Sequence, residues 1–205
     1  MKLNHLFMTL ALGAATMLAQ GPTYELVPTA SQTSVVLAGG FVSALGTLGV
    51  TPGGLELGNL TVANGVATAT FPIPSARLDL SNLRLQILHT GGLSLRAGST
   101  FVTLSDFIIE NLAAGPRLTG VVKVNETVVG RVPLFTLTLT GSPEVKAYDA
   151  TEGGGTAGMI SIKARLTLTE MAAGALNNIF GVRAFVKDFV IGDGTVSGIY
   201  IDGAK

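Results

Sequence analysis

A two-residue rhythm restricts the fold more than any other feature of this chain. Phe135, Leu137 and Leu139 alternate with Thr136, Thr138 and Thr140, and Ile160, Ile162, Ala164, Leu166 and Leu168 alternate with Ser161, Lys163, Arg165, Thr167 and Thr169. Side chains at i and i+2 share one face of a strand, so each run has an apolar face and a hydroxyl-rich or charged one, as antiparallel sheets do. Shorter runs read the same way over Leu55–Leu57, Leu60–Val62, Val66–Phe71, Leu118–Asn125, Thr127–Val132, Val182–Ile191 and Thr195–Ile201. Turn residues separate them: Thr51-Pro52-Gly53-Gly54, Asn64-Gly65 in the position of a type I′ hairpin, and Gly192-Asp193-Gly194. Asn111–Arg117 and the glycine-bearing Asp149–Gly158 read as loops.

Helical signals are few. Thr33 or Ser34 is placed to cap a helix within Ser31–Val50 carrying Leu37, Phe41, Ala44, Leu45 and Leu48 and closed at Gly46 or Gly49, with Gly39-Gly40 in its middle. Thr169, or Thr167 with Glu170, caps a second helix with Met171, Ala175, Leu176 and Ile179 on one side and Gly181 at its exit. Many short strands with two short helices define a mainly β protein, an antiparallel β-sandwich or partly closed barrel.

Lys2 followed by the apolar run Leu6–Leu18 and Ala19 has the layout of a secretory signal peptide, residues 1–19, leaving a single β-rich domain over residues 20–205. The expected location is periplasmic, cell-surface or extracellular. With Cys 0, no disulfide staples an exported chain, so burial of the 47% hydrophobic residues must hold it together, and thiolate chemistry is excluded. Only 13% of residues are charged and the formal net charge is +0, which gives no electrostatic footprint for nucleic acid. Between Glu25 and Arg77 the only charged residue is Glu56, a surface that favours association. The apolar part of Ser31–Val50, rich in glycine, is too short for a membrane span.

The stretch most able to carry chemistry is Leu83–Glu110. Leu83, Leu85, Ile87 and His89 share one parity, so His89, the one histidine of residues 20–205, falls in phase with an inward row. Thr90-Gly91-Gly92 turns the chain, Leu93 and Leu95 resume the alternation, and Phe101–Ile109 follows after Ala97-Gly98-Ser99. Asp79, Asp106 and Glu110 have no spacing that makes a base or a metal site with His89, and no Gly-x-Ser-x-Gly elbow occurs, so no catalytic or metal-binding residues are assigned. Two readings of His89 stand. It is a core histidine bonded to backbone or hydroxyl, or it lines a ligand pocket with Gly91, Gly92, Phe101 and Phe107.

The order of these parts resembles the HtaA-type haem-binding domains of Gram-positive cell surfaces. The shared features are an early capped segment, a Phe-x-Ile strand (Phe71-Pro72-Ile73-Pro74), a histidine-glycine turn before Leu-x-Leu (His89-Thr90-Gly91-Gly92-Leu93-Ser94-Leu95), and a late Leu-Thr helix leading to an aromatic-glycine end. The segment LTLTEMAAGALNNIFGVRAF also resembles uncharacterised exported bacterial proteins. The HtaA resemblance implies haem as ligand, its iron held by a tyrosine of the early segment and supported by a histidine, which His89 would match. Here Thr33–Val50 contains no tyrosine and the family's Trp-Gly start is absent. The leading expectation is a non-enzymatic exported surface or periplasmic protein without cofactor, acting by adhesion or self-association. The alternative is a carrier of a small apolar ligand, haem being the one the resemblance names, with its pocket at His89.

Overall fold

The computed structural model describes residues 23–81, 84–112, 115–148 and 157–202. Residues 1–19, expected as a signal peptide, together with Leu83 and most of Asp149–Gly158, lie outside the described residues. The elements in order are β1 (Thr23–Leu37), α1 (Gly39–Thr47), β2 (Thr51–Leu55), β3 (Asn59–Ala63), β4 (Val66–Pro72), β5 (Ser75–Asp79), β6 (Arg84–Leu88), β7 (Gly92–Ala97), β8 (Thr100–Leu112), β9 (Gly115–Val124), β10 (Thr127–Leu139), β11 (Glu144–Ala147), β12 (Ala157–Leu168), α2 (Glu170–Phe180) and β13 (Val190–Asp202).

Eight antiparallel strands close into a barrel in the order β1-β5-β6-β8-β9-β10-β12-β13, and β13 pairs back onto β1. Of the two architectures open to the sequence the barrel is the one formed, and its closure is complete. An eight-strand barrel is just wide enough to be filled by side chains or to hold one small ligand. Leu78, Ile87, Ile160 and Leu168 are fully buried in it.

One part of the wall is divided. β1 pairs with β5 at Thr23–Glu25 but with β4 at Gln32–Val36, and β8 pairs with β7 at Thr100–Ser105 but with β6 at Ile108–Glu110. The β5–β6 hairpin therefore bridges β1 and β8 at one end. At the other end two flaps, β4–β3 and β7–β2, extend from β1 and β8. Backbone packing joins the flaps: a Cβ on Gly58 would run into the Gly92 backbone, one on Gly91 into Gly58, and one on Gly92 into the Leu104 carbonyl.

Several expectations hold. Asn64 (φ 51) and Gly65 (φ 78) link β3 to β4 in a two-residue loop, both at the positive φ of a type I′ turn, and Phe71-Pro72 ends β4. The Thr169 hydroxyl accepts from the Ala172 amide at 3.1 Å and Gly181 closes α2 at φ 66.

Others are corrected. The helix expected within Ser31–Val50 begins only at Gly39, because β-branched Thr33, Val35 and Val36 belong to a strand paired on both edges, with β13 and β4. Thr33 is consequently an inward strand residue and not a cap. Gly39 and Gly40 open α1, and Gly49 (φ 66) closes it with Val50 N–H bonded to Leu45 O at 2.8 Å. Thr51–Gly54 is strand β2, the turn falling at Glu56 (φ 55). Asn111 and Leu112 belong to β8 and Gly115–Arg117 to β9, paired with Leu112 opposite Gly115. On α2 the buried residues are Ala172 and Ala173, while Met171 is exposed. Val182–Phe189 is not a strand: the Asn177 amide pairs with both the N–H and the C=O of Phe185, tying the chain to α2. Gly192-Asp193-Gly194 is not a turn but the start of β13, where Gly192 lets the Val36 backbone approach and Gly194 lies under Leu166.

Two alanine substitutions test the close-approach argument in opposite directions. Gly92→Ala should destabilise the protein by about 2–4 kcal/mol in urea unfolding. Gly40→Ala, in a helix with nothing within 4 Å of its Cβ position, should stabilise it by about 0.5–1 kcal/mol.

Candidate functional site: the barrel interior at His89

His89 lies where the wall divides. Its main-chain N–H donates to Phe107 O at 2.9 Å, and the next amide, Thr90, donates to Pro72 O at 3.1 Å, so this short link is stitched to β8 on one side and to the end of β4 on the other. The strand parity read from Leu85, Ile87 and His89 places all three against the interior. The ring is 4% exposed, with Nδ1 3.2 Å from Phe107 O and Nε2 2.7 Å from Thr33 Oγ1. Phe107 can present its carbonyl because β8 carries an irregularity between Ser105 and Ile108, with Asp106 at φ 51, at the point where it changes partners. Arg131 Nη1 secures that irregularity by donating to Asp106 O at 2.8 Å.

These contacts assign the proton. A carbonyl oxygen only accepts, so Nδ1 carries the hydrogen; in the neutral ring Nε2 is then an acceptor and takes the Thr33 hydroxyl hydrogen. Burial lowers the His89 pKa from 6.5 to about 4, partly offset by the bond to Phe107, so the imidazole is neutral at pH 7. No carboxylate contacts either nitrogen. Asp79 is turned to Ser81, whose amide lies 3.0 Å from Asp79 Oδ1, and Ser105 Oγ donates to Asp106 Oδ2 at 2.9 Å.

Beside this pair lies a cavity of about 110 Å³, with Phe71, Phe107, Leu85 and Ile87 among its walls. Phe71 and Phe107 meet edge to face at 5.1 Å between centroids. Thr33 and His89 are the polar side chains on an otherwise apolar lining. A smaller cavity, about 70 Å³, lies under α2 against Leu134, Leu168 and Ile179 and shares Phe41, Leu95, Leu104, Phe135 and Ile191 with the first. Phe41 of α1 also packs with Phe185 and Phe189, at 6.4 and 6.5 Å, so an aromatic cluster anchors the helix to the segment after α2.

Of the five residues singled out from the sequence, the structure brings together His89 and Phe107. Gly91 and Gly92 stand beside them in sequence, but the space over Gly91 is filled by Gly58 and that over Gly92 by Leu104. Phe101 lies at the far end of β8 under the Arg96 guanidinium, 4.3 Å from its ring centre, and does not line the cavity. Sequence reasoning missed Thr33, taken for a helix cap, and Phe71, taken only for a strand end. Their signal was alternation, since Thr33, Val35 and Leu37 share a parity, as do Ala69, Phe71 and Ile73. Ser31, also inward on β1 and 6% exposed, has a hydroxyl with no hydrogen-bond partner in the structure. Among the described residues no cluster of three or more His, Asp or Glu side chains could hold a metal ion, and no helix is long and apolar enough to cross a membrane.

A closed antiparallel barrel with two short helices and an apolar interior defines the structural class, and solved structures share the fold. The fold is similar to that of the C-terminal domain of HtaA from Corynebacterium glutamicum, with 15% identity and a TM-score of 0.57 over 86% of this chain and 99% of that one. It is also similar to the heme-binding protein HtaB from Corynebacterium glutamicum, with 10% identity and a TM-score of 0.52 over 88% of this chain and 98% of that one. The HtaA-type resemblance is thus present in the fold. No protein-family model and no curated protein sequence matches the chain.

The neutral, buried imidazole has a measurable consequence. Its folded pKa of about 4 lies below the unfolded value of 6.5, so the unfolded chain takes up the proton first as pH falls. The contribution to stability is complete above about pH 6.5 and is lost between 6.5 and 4, amounting to about 3 kcal/mol. Urea midpoints measured from pH 7.5 to 4 should fall accordingly, and His89→Gln should flatten that part of the profile.

Proposed function

We propose that this protein is a non-enzymatic carrier that holds a small apolar ligand inside the barrel, against Thr33 and His89. The observation that carries the reading is the apolar cavity at the one buried polar pair on its wall. The barrel class supports it, since eight-strand barrels have room for one small guest. Acid-base or nucleophilic chemistry would need a second titratable group within reach of the imidazole, and Thr33 and Phe107 occupy both nitrogens.

Haem, the ligand of the heme-binding protein HtaB, does not fit the residues present. The buried side chains of α1 are Phe41 and Leu45, which offer no oxygen to iron. Both His89 nitrogens are engaged, and a cavity of about 110 Å³ falls below the ~300–1,000 Å³ of sites for drug-sized ligands. Haem added to the full chain at pH 7 should therefore give no absorption band that His89→Ala removes.

Ring-sized apolar molecules should bind. Cyclohexane should raise the unfolding temperature by a few degrees near saturation, since a ligand at 100 times its Kd adds about 2.7 kcal/mol. Ala69→Leu, which fills the cavity from a fully buried wall position, should abolish the shift. No shift in the wild-type protein would overturn the carrier reading.

Self-association is supported by a different observation. Among the described residues β3 pairs only with β4, and Val62 on it is 71% exposed, as is Leu57, at 67%, in the preceding turn. An open strand edge with exposed apolar side chains recruits further strands. Val62→Lys should suppress the concentration-dependent light scattering expected of the wild-type chain, and a strictly monomeric wild type at high concentration and low salt would remove this reading.

A further inference from the structure

We infer that the guest is a single unbranched aliphatic chain of about eight carbons, lying along the barrel with its polar head left in water at a breach between β9 and β11. This deepens the carrier reading and rests on it. The breach follows from strand pairing. The β9–β10 ladder reaches as far as Arg117 opposite Thr136, and the β10–β12 ladder as far as Leu139 opposite Ala164. Beyond those points Gly115 and Pro116 pair with β8 alone and β11 pairs with β12 alone, so among the described residues no ladder joins β9 to β11. Pro116 has no N–H to give a neighbouring strand and Pro143 stands just ahead of β11, which makes this stretch of wall unsuited to pairing. The cavity meets water here. Its wall passes from half-buried to buried going inward, from Pro116 to Leu118, from Leu139 to Leu137 and from Leu85 to Ile87. At the other end Leu37, Phe41 and Ile191 are all buried, so the cavity is blind under α1.

The cavity is long and narrow. Pro143 and Phe41 both line it. Pro143 adjoins the Glu144–Ser161 pair, while Phe41 packs at 6.5 Å on Phe189, whose carbonyl accepts the Leu168 N–H. From Ser161 to Leu168 β12 covers about 23 Å at ~3.3 Å per residue, whereas a spherical void of about 110 Å³ would be about 6 Å across. The space is therefore a channel. A straight chain follows it, and a branch must displace side chains packed against their neighbours. At about 10–15 Å³ for each water-sized group, the volume takes roughly eight carbons. Orientation follows from solvation. A head group carried inward would give up water among apolar side chains, and a carboxylate would find no cation among the lining residues.

The test compares octanoate with 2-propylpentanoate, isomers that share a head group and differ in branching alone, on the full chain by amide chemical-shift titration. Octanoate should bind about tenfold more tightly. Octanedioate, whose second carboxylate would have to enter the blind end, should not bind. A nitroxide coupled to the carboxyl group of octanoic acid should broaden the amides of Arg117, Leu118 and Glu144–Ala147 and spare those of Phe41–Leu45. Equal binding of the two isomers, octanedioate binding as tightly as octanoate, or broadening centred on α1 overturns the channel inference and leaves the carrier reading standing. If neither isomer binds, the inference falls as well, and the cyclohexane shift decides whether the carrier reading falls with it.

Discussion

The imidazole of His89 holds together the two sides of the divided barrel wall. β1 and β8 each change partners where the β5–β6 bridge gives way to the flaps, and there His89 reaches Thr33 on β1 and Phe107 on β8. No continuous ladder spans the two strands at that level. Each of these bonds contributes a net of about 0.5–1.5 kcal/mol, while a ring left buried with an unpaired nitrogen would cost about 1–3. The pairing therefore matters chiefly because the alternative is worse. It also places the one polar feature of the lining at the seam, where wall side chains from β1, β4, β6 and β8 converge.

The same seam explains why glycine is concentrated where it is. Strand ladders hold neighbours about 4.8 Å apart, but the flaps meet through stacked backbone at Gly58, Gly91 and Gly92, closer than any Cβ permits. On the opposite side β13 is paired on both edges, and Gly192, Gly194 and Gly198 face inward against Val36, Leu166 and Ser31. Pairing on both edges lets the ring close, and small residues let β1, β12 and β13 curve around so narrow an interior. In a chain with no cysteine, this geometry and apolar burial carry the stability.

What was legible in the sequence was whatever depends on one local pattern. Alternation at Ile160–Leu168 and Phe135–Leu139 located strands and their inward faces, and the same parity set His89 inward. Thr169 and Gly181 bounded α2 because caps act within a turn or two of chain. The errors share a cause: one residue type can serve two physical ends. Gly192 and Gly194 suit a turn or a close approach, and only the presence of β1 and β12 on either side decides. Thr33 suits an N-cap or a strand, and pairing with β13 and β4 decides. Gly91 and Gly92 looked like room for a ligand, yet the backbone of a distant turn occupies that room. Thr33 meets His89 across 56 residues, and no local rule reports a contact of that span.

The interior also bears on why the cavity exists at all. A void of about 110 Å³ forgoes about 2–3 kcal/mol of packing, a large fraction of the stability of a domain without disulfides. Filling it would be simple, since Ala69, Ala164 and Gly194 stand on its wall. A Cβ at Gly194 would have to displace the Leu166 δ-methyl, 2.9 Å from its position, but Ala69 is fully buried on a regular strand and already carries a Cβ. That cost is offset by a guest with an apolar body.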